Sequence, residues 1–545
     1  MIYFTALLMS VFITVSLIPG MTNLASRLQF VDFPNQRKIH TRPVPRVGGL
    51  ATAIGAFAPI VFWAGISNFT RAYLVAAGIL VAFGLADDMK GLGYRAKFAG
   101  QFCAALIAVL PGGVRISSLG ALLPVPAQLP GWFAVVFTVV AIVGVTNAIN
   151  LADGLDGLAG GISLLGFCCV AYLAYLRGNS AVVLLSLSLA GAIFGFLRYN
   201  TYPASLFMGD TGSQLLGFSA AVLAIKITQG DTPFSPVLPL VILGFPILDT
   251  LNVMIERVRE GRSPFSADKN HFHHRLIRLG LTHAEAVFAI YVIQAAMVVT
   301  AIVFKYNDWV LMASYTAFSA LIIGLFAAAD RTGFTFRRYP LIEHAVKDKL
   351  RKIRSGNWII KISFTASKII IPLLFLCSCL LPAKIPRYFS TIAFGFGLLM
   401  LLVRIFAKDR MGSCLRFVLY LAVPPALYLI HEGRAPWISP PVFALYNLSF
   451  GVIAFFILLT AKFTRRKRGF RMTAMDFLVI FIAVLVPNLP DQSIRSYHMG
   501  LMAVEIIVML FSYEVLIREL GGKLNTLAAS TMAALILIGI RGVLG

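Results

Sequence analysis

Charge is scarce in this chain of 545 residues: Asp, Glu, Lys and Arg make up 13% of it, and only 23 residues are acidic. A soluble domain carries about 25% charged residues, so there is too little polar surface here to cover a water-exposed globule. Cysteine is also sparse. The six present (Cys103, Cys168, Cys169, Cys377, Cys379 and Cys414) fall in or beside apolar stretches, and no CxxC spacing occurs. Neither a disulfide framework nor a thiolate metal site is therefore indicated. The opening MIYFTALLMS lacks the basic segment of a secretion signal and reads as a retained first span. No convincing internal repeat is visible, which weakens a transporter reading built on repeated halves.

What is abundant is apolar: 59% of residues are hydrophobic, with a mean hydropathy of +0.84. The expected fold class is all-α, a polytopic integral membrane protein. Runs long enough to cross ~30 Å of hydrocarbon as helix lie near 2–24, 47–66, 71–86, 97–110, 131–149, 158–176, 180–197, 211–227, 236–255, 284–304 and 308–329. A second group lies near 358–382, 387–404, 414–430, 441–461, 473–488, 497–513 and 526–543. That gives about 11 spans in a core (1–330), a basic linker (331–357) and about 7 spans in an extension (358–545). The 47 Lys+Arg give a net charge of +24. In a soluble protein this would suggest nucleic acid. Here most of them fall in alternate loops, which explains the excess as a positive-inside signal, sets N-out/C-out and implies no nucleic-acid partner. The linker RTGFTFRRYPLIEHAVKDKLRKIRSG combines a crude apolar face with lysines and arginines. It reads as a positive-inside linker or as an interfacial helix on anionic lipid.

Ionisable groups near spans are costly unless they work, and in this chain they gather at one set of span ends. Asp87 and Asp88 close the third span (GLADDMKG). Asn147, Asn150, Asp153 and Asp156 close the fifth (TNAINLADGLDGLAGG). Asp210 opens the eighth (FMGDTGS), and His271, His273, His274 and Arg275 follow the ninth (ADKNHFHHRL). The first loop adds Arg37, Lys38, His40, Arg42 and Arg46. All five clusters lie on the face that the charge pattern makes cytoplasmic, as one active site would require.

Asp and Asn oxygens without cysteine suit a hard cation, and Mg²⁺ takes one or two carboxylates, waters and substrate phosphates. Asn147, Asn150, Asp153 and Asp156 recur every three residues, a spacing that drifts about 60° per step on a regular helix. All four cannot meet one ion unless the helix ends, and Gly154 is placed to end it. Paired Asp87 and Asp88 point in two directions, so one can face the site while the other is structural. The His/Arg/Lys cluster offers donors to phosphate oxygens. Its HxHH string is also a zinc pattern, which the separate Asp/Asn cluster disfavours. Simpler readings stand beside each motif. Asp87 could be an interfacial anchor and Asp210 a helix cap. Gly154, Gly157, Gly160 and Gly161 could serve close packing, and the basic loop could be topology signal alone. Lone His283 and His344 read as helix-cap or surface residues and carry no functional reading.

The ordered motifs RKIHTRPVPRVGG, GLADDMKGLGYRAK, NAINLADGLDGLAGG, FMGDTGS and DKNHFHHRLIRLGLTHAEA resemble those of the polyprenyl-phosphate N-acetylhexosamine-1-phosphate transferases. That family includes the bacterial undecaprenyl-phosphate GlcNAc-1-phosphate transferases and, more distantly, the phospho-MurNAc-pentapeptide transferase. The resemblance covers roughly residues 1–330; the extension departs from it. It implies transfer of a sugar-1-phosphate from a UDP-N-acetylhexosamine to polyprenyl (undecaprenyl) phosphate, releasing UMP, as the first step of a cell-envelope glycan. It implies Mg²⁺, with Mn²⁺ as a substitute, and residence in the cytoplasmic membrane with the site facing the cytoplasm. Membrane lipids are partners, and a homodimer is compatible. Asp210 would be a direct Mg²⁺ ligand and Asn150 a second. Asp87 and Asp88 would position or deprotonate the lipid phosphate, and Asp153 and Asp156 would serve the nucleotide or support the metal. His271, His273, His274 and Arg275 would hold the pyrophosphate or sugar, with Lys38, Arg46, Asn147 and Asn150 on the cofactor side. The alternative from another class is a transporter of a nucleotide-sugar or lipid-linked sugar, whose polar site should sit near the bilayer midplane.

Overall fold

The computed structural model describes residues 2–27, 30–32, 43–65, 67–123, 128–263, 270–335, 358–463, 499–521 and 523–544. The chain is an all-α, multi-pass membrane protein. Thirteen helices among the described residues are long and apolar enough to span. The described residues divide into two compact units, one before and one after residue 339. Two expectations, the span at 473–488 and most of the linker, lie outside the described residues.

In the first unit the helices are α1 (Ile2–Arg27), α2 (Gly48–Trp63), α3 (Asn68–Lys90), α4 (Tyr94–Val109), α5 (Gly131–Ala152), α6 (Leu158–Leu176), α7 (Ser180–Asn200) and α8 (Gly209–Thr228). They are followed by α9 (Leu238–Ile242), α10 (Gly244–Arg259), α11 (Phe272–Arg278), α12 (His283–Val303) and α13 (Asp308–Thr332). α2 and α4 have 16 residues each, about 24 Å of helix, shorter than a full crossing. The apolar run at 236–255 is not one helix. It breaks at Leu243, where Gly244 and Pro246 open α10, because proline fits a first turn and not a helix interior.

α8 sits at the centre, packed on α2, α3, α5 and α6. Small residues let backbones approach. A Cβ at Gly217 would lie 2.7 Å from Thr146 Cα, and one at Gly84 would lie 2.5 Å from Thr211 Cα. The buried Tyr73 hydroxyl, 2.7 Å from Ser219 Oγ, ties α3 to α8. A two-stranded antiparallel ribbon, β1 (Val31–Asp32) and β2 (Val44–Pro45), precedes α2. The chain just after β2 is stitched to the segment before α8 by Gly48 N–H to Phe207 O (3.0 Å) and Gly49 N–H to Met208 O (2.9 Å). These contacts bring the ends of α3 and α5 to the start of α8.

The second unit contains α14 (Trp358–Leu380), α15 (Arg387–Phe406), α16 (Met411–Glu432), α17 (Pro440–Phe463), α18 (Met499–Leu520) and α19 (Asn525–Leu544). Phe375, Leu415, Val418, Leu516 and Leu535 lie in its core. Several of its polar groups are paired across helices. Arg416 Nε lies 2.8 Å from Glu514, and Arg541 donates to the carbonyls of Cys379 and Leu380 at the end of α14 and of Pro382 just beyond it. His431 Nε2 lies 2.7 Å from Glu505 Oε2, with both side chains buried.

Candidate active site

α3 delivers Asp87 and Asp88 in its last turn and stops at Gly91, whose φ of 65° is the left-handed closure that favours glycine. Chain reversal then places Lys97 in the first turns of α4. α5 carries Asn147 and Asn150 and ends at Ala152, so Asp153 and Asp156 occupy the following turn, closed by Gly157 at φ 83°. The three-residue repeat is therefore split between helix and turn, and its members face different partners.

The centre is a carboxylate pair bridged by an ammonium. Lys97 Nζ lies 2.6 Å from Asp87 Oδ2 and 2.6 Å from Asp210 Oδ2. The Asp87 and Asp210 carboxylates lie beside each other, and the Asn150 side chain is close enough to Asp210 to favour its ionised form. Asp87 Oδ1 accepts the Leu92 N–H at 2.6 Å, which holds this side chain buried and aimed at the pair. Asp88 points elsewhere. Its oxygens accept the N–H of Asp210 (2.9 Å) and Thr211 (3.0 Å) and the Thr211 hydroxyl (2.7 Å). Asp88 thus caps α8 from another helix, and the Asp210 side chain is left clear of that duty.

Asp153 lies beside this centre. Burial, then the negative charge of Asp210, Asp88 and Asp156, holds its carboxyl well above the usual carboxylate range, while Arg46 opposes them. Arg46 itself pairs with Asp32 of β1. Asp156 secures the fold of the turn: its Oδ2 accepts the Ala204 N–H at 2.9 Å, and its own N–H donates to His283 Nε2 at 2.9 Å. His283 also stacks on Tyr202 with ring centroids 4.4 Å apart. It therefore has the structural role expected of it, with partners that its isolation in the sequence concealed. Asn147 belongs to an amide chain behind the centre, donating to Gln101 Oε1 at 2.7 Å, while Gln101 donates to Gln214 at 3.2 Å.

The histidine segment approaches from the other side. His273 is buried, and a Cβ at Gly154 would lie 2.4 Å from its Nε2, so this ring abuts the Asp153 turn. Burial, then His274, His271 and His283, pushes its pKa down to about 3, which keeps the imidazole neutral. His274 neighbours it, with ring centroids 4.2 Å apart. Arg275 pairs with Glu256, donates from Nε to Asn270 O at 2.8 Å and lies over the Phe326 ring. Its guanidinium fastens the segment to α10 and α13. Gly160 and Gly161 pack closely on Leu197 and Tyr291.

Asp87, Asp210 and Asn150 are thus brought together, with Asp153 and His273 alongside. Asp88, Asp156, Asn147 and Arg275 hold the surrounding frame. Arg37, Lys38, His40, Arg42 and His344 lie outside the described residues. Sequence reasoning missed Lys97, Asp249 and Glu256. Lys97 falls inside a quoted motif, and Asp249 is an ionisable residue in an apolar run, itself a signal. The donor set fits Mg²⁺. Among the described residues no group of three or more His, Cys, Asp or Glu is arranged for a metal ion. Two carboxylates with an amide oxygen are what Mg²⁺ takes when substrate phosphates complete its shell, and the Lys97 ammonium already marks the place where positive charge is favoured.

The sequence profile described as "Glycosyl transferase family 4" matches residues 70–228, a stretch that includes every member of the carboxylate centre. A probable undecaprenyl-phosphate N-acetylglucosaminyl 1-phosphate transferase of Bacillus subtilis (strain 168) is 37% identical over 338 residues, covering 61% of this chain and 93% of the relative. The undecaprenyl-phosphate alpha-N-acetylglucosaminyl 1-phosphate transferase of Escherichia coli (strain K12) is 30% identical over 347 residues, 61% and 92% of the two chains. A decaprenyl-phosphate N-acetylglucosaminephosphotransferase of Mycolicibacterium smegmatis is 36% identical over 305 residues, 49% and 73% of the two chains.

Proposed function

Because the chain belongs to the polyprenyl-phosphate N-acetylhexosamine-1-phosphate transferases of glycosyl transferase family 4, we propose that it transfers GlcNAc-1-phosphate from UDP-GlcNAc to polyprenyl phosphate with Mg²⁺. The products are polyprenyl-diphosphate-GlcNAc and UMP, and the reaction begins a cell-envelope glycan. The observation that carries this reading is the Asp87–Lys97–Asp210 centre, with Asn150, at the half-buried start of α8. It lies at helix ends, where a soluble nucleotide-sugar and a membrane-held phosphate can both arrive.

A polyprenyl phosphate oxygen, already ionised at neutral pH, forms a new bond to the β-phosphorus. The bond from that phosphorus to the bridging oxygen breaks, and UMP leaves with its electron pair. No strong base is required; the barrier is the approach of two anions. Bound Mg²⁺ would neutralise charge on the pyrophosphate. Asp210 and Asn150 would hold it, with Asp87 as the neighbouring carboxylate. Lys97 keeps the paired carboxylates from repelling incoming phosphates, and its ammonium is a donor to phosphate oxygens. Neutral His273 and its neighbour His274 can donate hydrogen bonds to the pyrophosphate or sugar. Asp153 stands beside the centre, its carboxyl held above the usual carboxylate range by burial and by the charge of Asp210.

The site is proposed to face the cytoplasm from the inner membrane. An engineered cysteine near Asp231 should then be labelled from outside the cell, and one near Asn270 should not. The reverse pattern would overturn the orientation. The activity itself is tested by purified full chain given UDP-GlcNAc, polyprenyl phosphate and Mg²⁺. UMP release that needs all three is expected. UDP-sugar uptake into vesicles without UMP release would establish a transporter instead.

A further inference from the structure

Asp249 is a carboxylate buried to 3% exposure on α10, in a stretch where an unpaired charge would be strongly destabilising. Both of its oxygens are used on the histidine segment. Oδ1 accepts the Phe272 N–H at 2.7 Å, and Oδ2 lies 3.0 Å from His271 Nδ1. An ionised carboxylate has no proton to give, so His271 Nδ1 carries the hydrogen and Nε2 is turned to the opposite edge of the ring. One and two helical turns further along the same face, Asn252 donates to Glu256 Oε1 at 3.0 Å, and Glu256 pairs with Arg275. α10 therefore grips both ends of the 271–275 segment, and His273, between the grips, rests against Gly154.

We propose that Asp249 is a positioning residue for the transferase reaction. It fixes the Nδ1-protonated form of His271 and the start of α11, and through them the rings that meet the pyrophosphate and sugar. This rests on the transferase reading of the site. Partners that orient metal-bound histidines change activity by about 10–100-fold when altered, and a loss of that order is expected here.

Asp249→Asn isolates the effect. The Phe272 N–H can only donate, so the amide oxygen of Asn stays on it and the NH₂ faces His271 Nδ1. That ring must then move its proton to Nε2, while α11 keeps its anchor. In the full chain, kcat is expected to fall about 10–100-fold, with KM for polyprenyl phosphate and thermal unfolding close to the parent. ¹⁵N-histidine NMR, assigned with His271→Gln, should show a protonated Nδ1 in the parent and a protonated Nε2 with bare Nδ1 in Asp249→Asn. Bare Nδ1 in the parent overturns the proposal whether or not any variant folds. An unchanged tautomer in Asp249→Asn, or a switched tautomer with parental kcat, overturns it too. If the parent turns over no substrate, the transferase reading fails, while the NMR result still decides what Asp249 does to His271.

Discussion

Asp210→Asn should reduce turnover at least ~100-fold, since loss of a metal-holding carboxylate costs several kcal/mol of barrier at about 1.4 kcal/mol per decade of rate. Folding should change little. The N–H groups at the start of α8 are satisfied by Asp88 rather than by the Asp210 side chain. Lys97 retains Asp87 at 2.6 Å, so no buried cation is stranded. The loss should be steepest at low Mg²⁺, measured as UMP release against metal concentration alongside thermal unfolding of the same preparation. Turnover near the parent rate at limiting Mg²⁺ would remove Asp210 from the metal and move that role to Asn150, Asp153 and Asp156.

The second large effect lies in the other unit and is one of stability. His431→Leu should destabilise that unit by about 1–3 kcal/mol, the usual cost of leaving a buried polar group without its hydrogen-bond partner. Glu505 is 1% exposed, its Oε2 rests on His431 at 2.7 Å, and its Oε1 meets no other donor among the described residues. The double variant His431→Leu/Glu505→Leu should recover most of the loss, because replacing a whole buried pair with apolar groups is close to neutral. Thermal unfolding in detergent checks both. A single variant as stable as the parent would mean that the pair does not hold α16 to α18.

The helices were legible wherever the apolar runs were long and cleanly bounded. α6 occupies Leu158–Leu176, the residues expected for it, because the glycine-rich turn before it fixes its start. The run at 236–255 misled, since hydropathy averages over Gly244 and Pro246 and cannot register that α9 ends at Ile242 and α10 begins two residues later. At the site, residue type announced Asp87, Asp210 and Asn150. The partition between Asp87 and Asp88 depends on helix rotation, which a pair of adjacent aspartates leaves open; only packing of α3 on α8 sends Asp88 to the Asp210 and Thr211 N–H groups. Lys97 was hidden because it belongs to α4, and its partners are Asp87 on the preceding helix and Asp210, 113 residues further along the chain. Arg275 carries phosphate-binding chemistry in its side chain, yet Glu256 claims it, a pairing between segments that spacing cannot reveal. His283 stands alone in the sequence and reads as structural, and its structural partner, Asp156, lies 127 residues away, which spacing cannot reveal.

The most direct measurement follows the β-phosphate. Purified full chain is supplied with UDP-GlcNAc labelled with ³²P at the β-phosphorus, polyprenyl phosphate and Mg²⁺, and the lipid and aqueous products are separated. Transfer of the sugar together with its phosphate should carry the label into the lipid and leave unlabelled UMP in water. Label that remains on a nucleotide diphosphate while sugar enters the lipid would show that only the sugar moves, and would contradict sugar-1-phosphate transfer at the Asp87–Lys97–Asp210 centre.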